Sequence, residues 1–148
     1  MSSALHLARR FIGSFDRRPP DPVAVEWVSS ILGAGEFALW STMRVEDRRH
    51  SLVVVGRYRA AKPGATTPEL AAALLHDVGK IVSGLGTWMR VAATLVGPRG
   101  RRFREYHDHE MLGSVLAMRA GSDPLTVSMI RGDAPPAMME ALVRADDC

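Results

Sequence analysis

The sequence predicts an all-α fold, a compact bundle of about eight or nine helices around one core. Three observations carry that expectation. Apolar residues recur at three- and four-residue spacing, as in Leu5, Ala8, Phe11, Ile12 and Phe15. Proline stands where helices would start, at Pro22, Pro68, Pro124 and Pro136, because its missing N–H costs nothing there. Leu70 to Lys80, LAAALLHDVGK, opens as an alanine-rich apolar run without polar interruption, which suits a helix packed on most sides.

In order, residues 3–15 read as a first helix, broken by Arg17 to Pro22 (RRPPDP). Pro22 opens a second helix through Leu32, and Gly33-Ala34-Gly35 ends it. Glu36 to Arg44 reads as a third, with Phe37, Leu39, Trp40 and Met43 available for packing. His6 is the chemically versatile side chain of this region, and it fits ordinary packing. Val45 to Ala61 is the next helix. Here His50, Val53, Val54 and Arg57 share one stripe, which turns His50 inward with the valines. A histidine so placed is either a satisfied core residue or a ligand.

Thr66-Thr67-Pro68 then starts the most buried-looking helix, a threonine cap followed by proline at the first turn. Gly79 is expected to stop it in the left-handed conformation. The helix therefore ends by delivering His76 and Asp77 together, with Lys80 just beyond. An imidazole and a carboxylate at the end of an apolar helix are costly unless something charged pairs with them. A divalent metal ion is the usual solution.

After the glycines at 84 and 86, Thr87 to Val96 reads as an apolar helix closed by Gly97-Pro98. Arg99, Arg101, Arg102 and Arg104 follow. They form either a solvated basic loop or an electrostatic lip that draws an anionic substrate inward. Tyr106 to Glu110 leads into an amphipathic helix that stops at Gly121. Asp123-Pro124 caps a short helix through Arg131, and Pro135-Pro136 starts the last one.

The 148 residues suffice for one domain with a real core. Apolar residues make up 47% and charged residues 24%, with no apolar run near the ~20 residues that span a bilayer. The +3 net charge, from seventeen arginines and two lysines, is spread along the chain, and no nucleic-acid reader module is visible. Cys148 is the lone cysteine, so neither a disulfide nor a thiolate zinc cluster is expected. The expected compartment is the cytoplasm.

The string LLHDVGK, Leu74 to Lys80, resembles the signature of the HD-domain superfamily of metal-dependent phosphohydrolases, whose helical fold carries His…His-Asp…Asp. His50 occupies the place of the first family histidine, on the preceding helix. Ala145-Asp146 fits the final aspartate, with Asp147 a rival one residue away. His109-Glu110-Met111-Leu112-Gly113 matches a His-Glu-x-x-Gly element of such proteins. There a histidine contacts a second metal or the substrate phosphate; His109 is preferred and His107 held in reserve, since residues two apart diverge by about 200° on a helix. The resemblance covers roughly residues 40–147 and divides the chain into a helical extension, 1–39, packed on an HD domain, 40–148.

The resemblance implies that His50, His76, Asp77 and Asp146 hold a divalent ion: Mn²⁺, Fe²⁺, Co²⁺, Ni²⁺ or Zn²⁺, with Mg²⁺ as a weaker guest. One ion is favoured over two, because no histidine follows His109. Asp77 would orient or deprotonate water, and Lys80 would neutralise phosphate charge unless it is merely an exposed lysine on the last turn. The implied function is hydrolysis of a small phosphate ester, a nucleotide or related phosphomonoester or diester. The alternatives are a di-iron HD-fold oxygenase and a non-catalytic HD module that senses a nucleotide or partner. Substrate and oligomeric state are open.

Overall fold

The computed structural model describes residues 18–82 and 101–147, with no side chains described over 101–108. In order come α1 (Pro22–Ile31), α2 (Ala34–Ser41), α3 (Val45–Ala61) and α4 (Thr67–Leu75). A 3₁₀ helix over Val78–Val82 follows, then α5 (Arg101–Arg119), α6 (Pro124–Arg131) and α7 (Pro136–Asp147). The described residues contain no strand, so this part of the chain is all-helical. The helices expected over residues 3–15 and 87–96 lie outside the described residues.

Local chemistry fixes the helix ends. Asp21 Oδ1 accepts the Val23 N–H at 2.7 Å ahead of α1, and Asp123 Oδ1 accepts the Leu125 N–H at 2.8 Å ahead of α6. Gly121 and Gly132 take positive φ, 87° and 91°, where α5 and α6 stop.

Helix α4 is the centre. Leu70 to Leu75 are all buried, and the helix packs against α1, α2, α3 and α6. Val28 of α1 and Trp40 of α2 lie in the same core, as do Ile130 and Leu142 from α6 and α7. Trp40 is fully buried, and its indole N–H donates to Ser51 Oγ of α3 at 3.0 Å. Truncating such a tryptophan typically costs about 3–5 kcal/mol.

The start of α4 is anchored by a buried carboxylate. Glu69 Oε2 accepts the Thr66 N–H at 2.7 Å and its hydroxyl at 2.9 Å, closing a reciprocal cap. Glu69 Oε1 accepts the Tyr58 hydroxyl at 2.8 Å and the Lys62 ammonium, both from the α3 end. Burial alone would raise the Glu69 pKa, but these donors, Lys62 foremost, lower it to about 2.

Three local expectations are corrected. The buried stripe of α3 is Ser51, Val54, Val55 and Tyr58, while Val53 is 47% exposed. The inward face thus sits one position later than His50, Val53, Val54 and Arg57 suggested, and His50 lies at its edge. Gly79 is not a left-handed stop, since α4 ends at Leu75 and Gly79 sits within the 3₁₀ helix. Its bare Cα instead admits α5: a Cβ there would lie 2.0 Å from the His109 carbonyl oxygen and 3.1 Å from the Gly113 nitrogen. Finally, Arg101, Arg102 and Arg104 belong to the first turn of α5 rather than to a loop.

Candidate metal centre

Three elements converge where α4 ends. His50 comes from the middle of α3, His76 caps α4 with Asp77 beside it, and Asp146 stands in the last turn of α7. One ligand atom from each of the four lies within 4.8 Å of the others. Asp146 is the aspartate that faces in; Asp147 is exposed. His50 Nε2 meets Asp146 Oδ1 at 2.6 Å, and the two imidazole rings lie 5.8 Å apart.

The orientation of His76 is decisive. Its Nδ1 lies 2.8 Å from the Ala73 carbonyl oxygen, which can only accept, so Nδ1 carries the proton. In the neutral ring, Nε2 is then a lone pair. That atom is buried without a hydrogen-bond partner, 3.4 Å from Asp146 Oδ1 and 3.5 Å from Asp77 Oδ2. A lone pair facing two carboxylates is repulsive unless a cation lies between them: a proton on Nε2 or a metal ion. Burial lowers the His76 pKa, but contact with Asp146 and the charges of Asp77 and Asp146 outweigh it, so the net shift is upward. His50 first, then His76, hold the Asp146 carboxyl well below the usual carboxylate range against its own burial.

The donor set fits a divalent ion. At metal–ligand distances of about 2.1 Å, neighbouring donors of an octahedral shell lie about 3 Å apart. The separations of 2.6, 3.4 and 3.5 Å bracket that value. Nitrogen and carboxylate oxygen suit first-row divalent ions. The Ala73 carbonyl supplies the outer hydrogen bond that fixes ring and tautomer in such sites.

Lys80 Nζ donates to Asp77 Oδ2 at 2.7 Å, and the same lysine lines a cavity of about 270 Å³ with Thr42, Arg44, Asp47 and Ile81. Thr42, Arg44 and Asp47 are additions that the motif does not announce. Asp47 precedes His50 by one helical turn, and that spacing is the signal that could have drawn attention to it. Burial pushes the Asp47 pKa up, and Lys80 pulls it down by less.

His109 does not join the four candidate ligands; its carbonyl packs on Gly79, and its Nδ1 is buried without a hydrogen-bond partner. Arg99 lies outside the described residues, as do the side chains of Arg101, Arg102, Arg104 and His107. No helix among the described residues is long and apolar enough to cross a membrane. Comparison with family models, with curated proteins and with solved structures finds no match to this chain.

Proposed function

We propose that this chain is a metal-dependent phosphohydrolase that cleaves a small phosphate ester, with His50, His76, Asp77 and Asp146 holding one divalent ion. The observation that carries this reading is the buried Nε2 of His76, fixed as a lone pair by Ala73 and aimed between two carboxylates. Lys80, in contact with Asp77, supports the step from metal to phosphate.

A bound divalent ion supplies an acidified water and a polarised phosphoryl oxygen, the two services that phosphate-ester hydrolysis needs. The chain does the rest. Asp77 lies between His76 and Lys80, and in this reading it orients the attacking water and accepts its proton. Lys80 is 45% exposed in its side chain, so its ammonium can turn from Asp77 towards phosphoryl oxygens in the cavity. Arg44, paired with Glu46 at 3.3 Å, lines the same cavity.

The test is a panel of phosphomonoesters and phosphodiesters, run with Mn²⁺, Co²⁺, Ni²⁺ and Mg²⁺ beside elemental analysis of the purified protein. Metal-dependent turnover of one ester class is expected. Bound metal with no turnover of any ester would remove the hydrolase reading and leave a metal-holding module.

A further inference from the structure

A ligand carried by the last turn of a helix is a poor one unless that turn is kept from fraying. End turns open at little cost in free energy, and a carboxylate on such a turn samples many directions. Helix α7 runs from Pro136 to Asp147, so Asp146 stands in its last turn. The polar ties of this turn to α3 fall on two consecutive residues. His50 Nε2 meets Asp146 Oδ1 at 2.6 Å, and Arg57 Nη1 donates to the Ala145 carbonyl at 3.2 Å. His50 and Arg57 are seven residues apart, two turns along one edge of α3. From that separation they converge on adjacent positions of α7, which leaves its last turn little freedom to rotate.

Resting on the reading of His50, His76, Asp77 and Asp146 as ligands, we propose that Arg57 is a positioning residue, which aims the Asp146 carboxylate by holding the Ala145 carbonyl. The Ala145 carbonyl and the Asp146 N–H belong to one rigid peptide plane. Fixing that oxygen therefore fixes the plane from which the Asp146 side chain departs. The same carbonyl is among the last four of α7, which have no donor within the helix, so Arg57 supplies the missing partner. The tolerance is small. Asp146 Oδ1 lies 2.6 Å from His50 Nε2 and 3.4 Å from His76 Nε2, and such sites need placement to within about 0.5 Å. Arg57 is neither one of the four nor part of the cavity wall, so it acts through Asp146.

A purely structural role for Arg57 exists, because a cation at the end of α7 favours the helix dipole. That role would add stability and leave the metal affinity of the folded chain unchanged. The experiment therefore reads affinity, by equilibrium dialysis of the full chain against Mn²⁺ below its melting transition. Wild type is compared with Arg57→Met, which keeps the apolar stem and removes the donor, and with Arg57→Lys, which keeps a cation and a donor. Asp123→Ala serves as a control, since it removes a helix cap at α6, away from the four ligands. Arg57→Met should bind Mn²⁺ about 10–100-fold more weakly, the scale for losing an outer-shell partner. Arg57→Lys should recover most of that loss, and Asp123→Ala should lose stability while keeping wild-type affinity. Wild-type affinity in Arg57→Met, or an equal loss in Asp123→Ala, overturns the proposal. If affinity depends on Arg57 in this way but no ester is turned over, the hydrolase reading falls and the positioning role stands. A wild type that takes up no Mn²⁺ removes the ligand set and this proposal with it.

Discussion

His50 Nε2 and Asp146 Oδ1 meet at 2.6 Å across 96 positions of sequence, joining the middle of α3 to the last turn of α7. The last turn of α7 therefore reaches the four-residue cluster. It is held there independently of the ligands, because Leu142 and Ala145 are buried and Arg57 Nη1 donates to the Ala145 carbonyl at 3.2 Å. Deleting Asp146 to Cys148 should leave helical content near wild type while metal affinity falls. The loss should exceed the ~10–100-fold that follows loss of an outer-shell partner. Circular dichroism and equilibrium dialysis with Mn²⁺ measure the two effects; unchanged metal affinity would remove Asp146 from the ligand set.

Asp77 and Lys80 should separate by what each variant retains. If Asp77 holds the ion and orients water as proposed, bound metal and turnover should fall together in Asp77→Ala. Lys80→Ala removes only the cation that touches Asp77 Oδ2. Metal content should stay near wild type while kcat drops, plausibly by ~10²-fold, the scale of losing one transition-state donor. A Lys80→Ala variant with undiminished turnover would overturn the role proposed for the lysine.

Much of this architecture was legible because it is local. Pro22, Asp123-Pro124 and Gly121 mark helix ends through their own backbone chemistry, and Val45–Ala61 runs as its pattern predicts. His50, His76, Asp77 and Asp146 were legible as a set only through the resemblance to a family pattern, and folding brings one ligand atom of each within 4.8 Å of the others. What stayed hidden depends on neighbours distant in sequence. Gly79 looks like a helix stop, yet its role is the close passage of α5 over the 3₁₀ helix. Glu69 follows Thr66 at capping-box spacing, but its burial depends on Tyr58 and Lys62. The α3 stripe was misplaced by one position because Ser51, tied to Trp40, is buried while Val53 faces outward.

Gly79→Ala should be among the more damaging small changes in the chain. The new methyl would sit against backbone, 2.0 Å from the His109 carbonyl oxygen, and backbone cannot swing away as a side chain can. The 3₁₀ helix or α5 must shift, at about 1–3 kcal/mol by analogy with overpacking. Gly113→Ala meets the Ile130 Cγ2 at 3.1 Å and should cost less. Thermal unfolding of both variants tests the ranking. Because Gly79 lies between Asp77 and Lys80, its substitution should also depress activity more than the stability loss explains.

Glu69→Ala should destabilise without touching the site. It removes the cap of α4 and leaves the fully buried Tyr58 hydroxyl without its partner. Loss of hydrogen bonds to a charged group and an orphaned buried donor together suggest about 3 kcal/mol. Since its pKa is lowered from 4.5 to about 2, the Glu69 contribution is present above 4.5 and lost as pH falls towards 2. Denaturant titrations at neutral and acid pH should therefore show the variant and wild type converging in stability as the solution is acidified. A constant gap down to pH ~2 would mean that the carboxylate charge is not what stabilises the cap.

Protons and metal should compete for the space between His76, Asp77 and Asp146, and the sign differs between metal-free and loaded protein. In the metal-free chain the His76 pKa is raised above 6.5, so its pairing stabilises the fold fully below 6.5 and is lost as pH rises through the folded value. Asp146 is depressed below 3.8, so its contribution is present above 3.8 and lost as pH falls through its folded value. The cluster therefore favours the metal-free fold most between 3.8 and 6.5. Metal binding needs His76 Nε2 without a proton, so the stabilisation conferred by saturating Mn²⁺ should grow as pH rises from about 6 to about 8. Thermal melts with chelator and with Mn²⁺ across that range should diverge: the chelated midpoint falls, and the gain on adding metal increases. His76→Gln should flatten both trends, because its side chain neither takes up a proton in this range nor offers an imidazole lone pair. A metal-induced gain that is constant with pH, or a His76→Gln variant that keeps the wild-type dependence, would show that the charge between the two carboxylates is not exchanged at His76.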